Sequence, residues 1–505
     1  MKNGENSIVA CYKSSKGSEN AQFSICAKIT MTKSKNLKAA GSLGLGACVA
    51  MLTGGMIGSA IFSLSGLTMY TAGPAALVSW IIAAVVMLIY GLIVSELSSL
   101  FPKSGGVFVF PAKALGKNPK VGKLWGWISC WGYINANIVA IAFAAIYVAT
   151  YLGVSFPVFG ESLSLFGKEI PMQIVMALAA IVFCLLLNML RITVAGKANN
   201  VLVFGLVAAL LIYVGVSLFG GSYDVKLLQP FFTQGSGGSG GFLAAVPTAM
   251  VGYGSIVAMA FMVSEVKDPN RTVPKSVMIA MLCVVCLYGL TILATLGLVS
   301  AQFLADNPGM RFIPLYAACF NALSAYPWMA KVVSIAAVLA LLTTMLVVLA
   351  LTSRALQSAA ADRVLPKALS KNSRMRVPVR ATLLIAIAAA IVSCFPAFTE
   401  EIVSFGALFA AFTISINIIS LLVARKKFPN KRVRFRAPGG SVLPILALLI
   451  IVVCYIPDVI SGGWVIWAYT LAWYVVGLLI YLCSPAFKKQ SAPKAIKDGK
   501  EAQEG

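Results

Sequence analysis

The sequence predicts an all-α membrane protein of twelve transmembrane helices, built as a five-plus-five inverted repeat with helices 1 and 6 broken. Three observations carry this. The chain of 505 residues is 59% hydrophobic and only 11% charged, against roughly 25% charged residues in soluble domains. Apolar runs of about 20 residues, the length that crosses a bilayer as a helix, recur along nearly the whole chain. Two of these runs, the first and the sixth, are interrupted by clusters of glycine.

The runs fall at 43–69, 75–100, 124–152, 172–190, 199–218, 242–263, 277–299, 328–353, 381–395, 402–424, 441–456 and 464–482. With the amino terminus in the cytoplasm, all of the 40 Lys and Arg residues except Lys168, Lys226, Arg311 and Lys331 lie on the cytoplasmic side. This positive-inside asymmetry supports an even number of crossings with both termini cytoplasmic. The net charge of +24 is therefore a topology signal rather than a nucleic-acid surface, with incidental attraction to anionic lipid.

Residues 1–42 are polar, Lys-rich and without the apolar core of a signal peptide, and read as a cytoplasmic tail. Residues 484–505 read the same way. The transporter domain between them spans 43–483: a first repeat over 43–218, a second over 242–424, and helices 11 and 12 over 441–482. The glycine-serine stretch from Gly235 to Gly241 reads as a flexible linker between the halves. Five spans per half is an odd offset, so the second half enters the membrane upside down relative to the first. The outer start of span 12, with Trp464, Trp467 and Tyr469, reads as an interfacial aromatic belt.

The first break contains Gly54, Gly55, Ile57, Gly58, Ser59 and Ala60; the second contains Val251, Gly252, Tyr253, Gly254 and Ser255. Each glycine lowers helix propensity by about 1 kcal/mol. Non-helical backbone survives in a bilayer only where protein or a wet cavity satisfies it. An unwound segment presents N–H groups at the start of one half-helix, which suit a carboxylate. Its carbonyls at the end of the other half-helix suit an ammonium. Paired breaks can thus grip the backbone part of an α-amino acid, and they point to a midplane substrate site of a secondary transporter. The competing reading is close helix packing through small residues. Tyr253 is either a gate over the substrate or a core tyrosine bonded to a neighbouring helix.

Further candidates are weaker. Glu96, at the end of span 2, is either a cytoplasmic-gate ion pair with a basic loop residue or an exposed interfacial carboxylate. Span 3 carries Trp131, Tyr133, Asn135 and Asn137; the two asparagines fall on different helix faces. Thr343 and Thr344 of span 8, with Thr413, Ser415 and Asn417 of span 10, are candidate contacts whose hydroxyls commonly bond their own backbone. The eleven cysteines are scattered and the chain has no histidine. Cys283 and Cys286 have a metal-like spacing inside an apolar helix and read as buried thiols. No metal and no cofactor are expected.

Four segments, in order, carry a family resemblance. The run from Gly55 to Phe62 resembles the first-helix motif of the amino acid–polyamine–organocation (APC) superfamily. The run from Ser95 to Gly106 resembles that family's end of helix 2 and re-entry to helix 3. The run from Glu265 to Pro274 resembles its segment after helix 6. Thr352-Ser353-Arg354 with the run from Ala361 to Lys367 resembles its segment after helix 8. The resemblance implies twelve helices, the five-plus-five inverted fold, and alternating-access transport of amino acids or related amines. This chain departs from the family at Ala60, where the motif has a third glycine. It also has Val257 where an acidic residue often follows the helix-6 break, and no lysine in the run from Asn200 to Leu206. The missing lysine, which in some relatives mimics sodium and joins proton coupling, tilts the expectation toward exchange, since substrate binding itself can gate the return step.

The expectation is secondary active transport of amino acids across the plasma membrane, as an exchanger or permease. The alternatives are a basic amino acid/polyamine antiporter or a proton-coupled symporter. No Asp or Glu falls at mid-membrane among the pocket candidates, which favours a neutral substrate, although a cation could stack on Tyr253 or Trp131. An intramembrane enzyme would need a nucleophile–base set or metal ligands, and a channel a continuous polar pore; neither pattern is present. The expected partners are an amino acid substrate and the lipid bilayer, with no nucleic acid.

Overall fold

The computed structural model describes residues 43–488, apart from 160–161, 166–167, 190–191, 262, 374–376, 432 and 462. The expected tail over 1–42 and most of that over 484–505 lie outside the described residues. Helix α1 (Leu45–Met56) stops at Ile57, whose backbone turns extended, and its N–H returns to the Thr53 carbonyl. A five-residue π-helical turn (Ala60–Leu64) leads into α2 (Ser65–Ala72). Helix α3 (Ala76–Leu100) follows, then α4 (Gly106–Ala114) and α5 (Pro119–Ser155). Gly105 enters α4 at φ 117°, a backbone that only glycine adopts without strain. Asn118 caps α5 by accepting from the Val121 N–H at 2.9 Å, with Pro119 in the first turn.

A short antiparallel hairpin, β1 (Ser162–Leu165) and β2 (Lys168–Pro171), lies where the sequence suggests only a loop. Pairing gives this long connection's backbone groups partners. Helices α6 (Met172–Met189) and α7 (Ile192–Phe219) complete the first half. The second half begins with α8 (Gly241–Ala244) and α9 (Val246–Val251), then a 3₁₀ turn (Gly254–Val257) and α10 (Ala258–Phe261). The axis bends by 44° between Gly238–Val251 and Gly254–Phe261. Then come α11 (Pro269–Leu296), α12 (Ala301–Asp306), α13 (Pro314–Ala322), α14 (Pro327–Ala361), α15 (Val379–Ser393) and α16 (Thr399–Lys427). Helices α17 (Val442–Ser461), α18 (Gly463–Cys483) and α19 (Pro485–Lys488) close the chain.

Among the described residues, eight helical runs are long and apolar enough to cross a membrane, and nine if the bent pair is one span. The protein is a multi-pass, almost wholly helical membrane protein. Helix α5 is its hub, packing on α14, α16, α4 and α6, while α11 packs on α3 and α1. The expected linker at Gly235 is not free. Ser236 and Gly237 donate to the Tyr70 and Thr71 carbonyls at 3.0 and 2.9 Å, and a Cβ on Gly235 or Gly241 would strike the Thr71 carbonyl oxygen.

Trp131 lies in the seam between α5 and α18. Its ring stacks on Trp473 with centroids 4.5 Å apart. Each indole N–H donates to the other's carbonyl, at 2.8 and 3.2 Å. Trp127 donates to the Gly477 carbonyl at 2.7 Å. A Cβ on Gly477 would strike the Trp131 ring.

Glu96 is buried and paired, with its side chain 1% exposed. It accepts from Arg425 Nε at 2.9 Å and again from Arg425 Nη2, and from the Ala437 N–H at 2.8 Å. Arg425 also donates to the Gly440 and Ala437 carbonyls, so both charged groups are saturated. A second pair joins Arg354 of α14 to Glu265 at 3.2 Å. The backbone at Glu265 is in turn bound to the chain entering α1. Leu43 N–H donates to the Glu265 carbonyl at 3.0 Å, and Lys267 N–H donates to the Leu43 carbonyl at 2.9 Å.

Two stability predictions follow from these contacts. Gly477→Ala should cost about 1–3 kcal/mol by overpacking against Trp131. This is read as a lower melting midpoint of the detergent-solubilised protein; no change would remove the tight seam. Glu96→Ala strands a guanidinium in a dry site and should cost about 3–5 kcal/mol. The double variant Glu96→Ala/Arg425→Leu should recover most of that loss, whereas additive losses would show that the two groups are not coupled.

Candidate functional site

The two helix breaks cross each other through residues without room for more. A Cβ on Gly55 would sit 2.9 Å from Ser255 Cβ and 3.1 Å from Val347. One on Gly252 would sit 2.9 Å from Ala60 Cβ and from the Trp80 ring. One on Gly58 would overlap the Thr344 hydroxyl. Each break therefore places a glycine against the other, and the first also lies against α14. The methyl of Ala60 fills the space opposite Gly252.

Breaking the helices releases peptide groups from their usual partners. Several carbonyls are recovered by tyrosines from intact helices. The Tyr288 hydroxyl, on α11, donates to the Met56 carbonyl and lies 3.4 Å from the Gly252 carbonyl. The Tyr151 hydroxyl donates to the Phe62 carbonyl. Around the second break the chain keeps turn bonds: the Gly252, Tyr253 and Ile256 N–H groups donate to the Ala249, Met250 and Tyr253 carbonyls at 3.1, 3.1 and 3.0 Å.

A cavity of about 120 Å³ adjoins the crossing. Gly55, Ser59 and Ala60 line it from the first break, and Val251, Gly252, Gly254 and Ser255 from the second. Thr344 adds a hydroxyl that is buried without a hydrogen-bond partner. The remaining lining is largely apolar: Val139 and Phe143 of α5, and Gly406, Ala407, Ala410 and Ile414 of α16, with Tyr90, Tyr133, Asn137, Thr413 and Tyr455 as polar exceptions. No Asp, Glu, Lys or Arg lies among the lining residues.

The structure thus brings together eleven of the sequence candidates: Gly55, Ser59, Ala60, Tyr133, Asn137, Val251, Gly252, Gly254, Ser255, Thr344 and Thr413. It places the others elsewhere. Gly54 and Ile57 are buried in the break, and Gly58 packs on Thr344. Tyr253 does not line the cavity. Its hydroxyl donates to the Trp80 carbonyl at 3.3 Å and its ring packs on Trp80 and Tyr288, which is the core-tyrosine alternative. Trp131 and Asn135 face α18, with Asn135 Nδ2 donating to the Tyr469 hydroxyl at 2.9 Å. Asn137, on the other face of α5, does line the cavity, but its amide donates to the Tyr133 carbonyl one turn back. Glu96 is held by Arg425 and is not a lining residue. Thr343 and Thr413 bond their own helix backbone; Thr344 does not. Of the wall from α16 only Thr413 was among the sequence candidates; Gly406, Ala407, Ala410 and Ile414 were not, and their one sequence signal is the small residues at 406, 407 and 410.

The model of the amino acid permease family matches residues 43–480. The branched-chain amino acid permease BcaP of Bacillus subtilis is 28% identical over 449 residues, covering 85% of this chain and 89% of that protein. The protein of the same name in Lactococcus lactis is 25% identical, covering 86% of this chain and 92% of its own length. A methylthioribose transporter of Bacillus subtilis is 26% identical, covering 85% and 90%. Because the family match takes in every helix that contributes to the cavity, the chain belongs to the amino acid permease family and is a membrane protein of amino acid transport.

Proposed function

We propose that this protein carries neutral, apolar amino acids across the plasma membrane by alternating access, most simply by exchange. The observation that carries this reading is the cavity itself: backbone of two crossing breaks on one side, largely apolar side chains on the other, and no Asp, Glu, Lys or Arg among the lining residues. Backbone at the two breaks, with the unpartnered Thr344 hydroxyl and the Ser255 hydroxyl, would meet the carboxylate and ammonium of the substrate. Val139, Phe143, Ala407 and Ala410 leave a small apolar space for the side chain. A lysine or arginine side chain would enter it without a counter-charge, at a desolvation cost. The names of the BcaP relatives agree with this substrate class.

The reading includes twelve crossings in two inverted five-helix repeats, over 43–218 and 242–424, with two further helices over 441–482. The short helices Val379–Ser393 and Val442–Ile456 would then be crossings nine and eleven, and the bent pair the sixth. The asymmetry of the basic residues supports a cytoplasmic position for both termini and for the Glu96–Arg425 end. Exchange fits a cavity without an acidic or basic side chain in its lining, because a substrate that stabilises the transition between states can drive the return step.

Purified protein in proteoliposomes should show saturable uptake of radiolabelled leucine, isoleucine or valine when the lumen is preloaded with one of them. Uptake should fall severalfold from an empty lumen and should respond little to an imposed pH gradient. Uptake driven by the pH gradient alone would replace exchange with proton symport. Competition by lysine or putrescine, but not leucine, would replace the substrate class. Gly55→Leu, which drives a side chain into Ser255, should abolish specific uptake while the protein still inserts; normal uptake would remove the first break from the site.

A further inference from the structure

We infer that Tyr288 is a positioning residue whose hydroxyl, shared between carbonyls of the two broken helices, sets the spacing of the breaks that the substrate reads. The inference rests on the binding reading above and concerns a residue outside the cavity lining. Tyr288 belongs to an intact helix, α11, and is 0% exposed. Its hydroxyl donates to the Met56 carbonyl, the last residue of α1, and lies 3.4 Å from the Gly252 carbonyl, at the end of α9. One donor therefore serves both breaks. Both Met56 and Gly252 line the cavity from the opposite side.

The ring is held so that the hydroxyl has little choice. It meets Trp80 edge-on with centroids 5.0 Å apart and an interplanar angle of 89°, and it packs on Tyr253 at 5.4 Å. Trp80 is fixed in turn, its indole N–H donating to the Thr68 hydroxyl at 2.9 Å. Buried aromatic rings with satisfied polar ends are stiff supports. A backbone carbonyl buried without a donor is costly, so both break ends are drawn to the one hydroxyl. Loss of that hydroxyl leaves two carbonyls to find other partners, and the breaks separate or turn. A zwitterion gripped by groups from both breaks would bind less well, whatever its side chain.

The test compares Tyr288→Phe with Tyr213→Phe. Tyr213 is equally buried, and its hydroxyl shares a hydrogen bond with Thr295 of the same helix α11 at 3.0 Å rather than with a carbonyl of either break. Tyr288→Phe should raise the half-saturation constant for every transported amino acid by about tenfold with little change in maximal rate. Amide hydrogen exchange should rise together in residues 54–60 and 251–255. Tyr213→Phe should lower thermal stability without either effect. If Tyr288→Phe is not recovered folded, Trp80→Phe, which loosens the support of the Tyr288 ring, should move both readouts in the same direction. Wild-type protein that transports no amino acid would overturn the binding reading. Wild-type transport with an unchanged half-saturation constant and unchanged exchange in Tyr288→Phe, or equal changes in Tyr213→Phe, would overturn this inference alone.

Discussion

The governing constraint is that a peptide group at mid-membrane depth has no water to turn to. An intact helix meets that constraint internally; a broken one cannot. Every feature around the cavity answers to it. Carbonyls freed at Met56 and Phe62 are taken up by Tyr288 and Tyr151 from neighbouring helices. The groups that remain face a small cavity, where a substrate with one acceptor end and one donor end can complete the set. The same deficit that would destabilise a lipid-facing helix becomes binding capacity once walled in by α5, α14 and α16.

Glycine serves this arrangement in two ways. It lowers the cost of leaving the helix, and it lets the two breaks touch. Gly55 against Ser255, and Gly252 against Ala60, leave no slack in the crossing. This accounts for the departure at Ala60, because its methyl group occupies space that the missing side chain of Gly252 vacates. Gly406 does the same work on the opposite wall, where a Cβ would sit 2.8 Å from Val139. Cavity size is thus set by contacts between helices, and small residues mark where those helices come closest.

The multi-pass helical fold and both breaks were legible in the sequence because each depends on local composition: long apolar runs, and glycines clustered within them. Cavity membership was only partly legible. Helix α16 is apolar on nearly every side, so Ala407 and Ala410 carry no polarity contrast to show which face meets a cavity. Trp131 was read as a contact because aromatic side chains suit ligands. Its face is decided by Gly477 and Trp473, more than three hundred residues away. Tyr253 sits at a break, where side-chain direction follows the local backbone turn rather than helical periodicity. Glu96 was legible as a carboxylate in need of a partner, but selecting Arg425 from a run of basic residues required the packing of α16 against α3.

The paired backbone bonds between Leu43 and residues 265 and 267 have a mechanical consequence. They lash the entrance of the first broken helix to the exit of the second, and Glu265 is anchored to α14 through Arg354. A tug on the polypeptide ahead of residue 43 is therefore delivered to both interrupted helices at once, as through a lever arm.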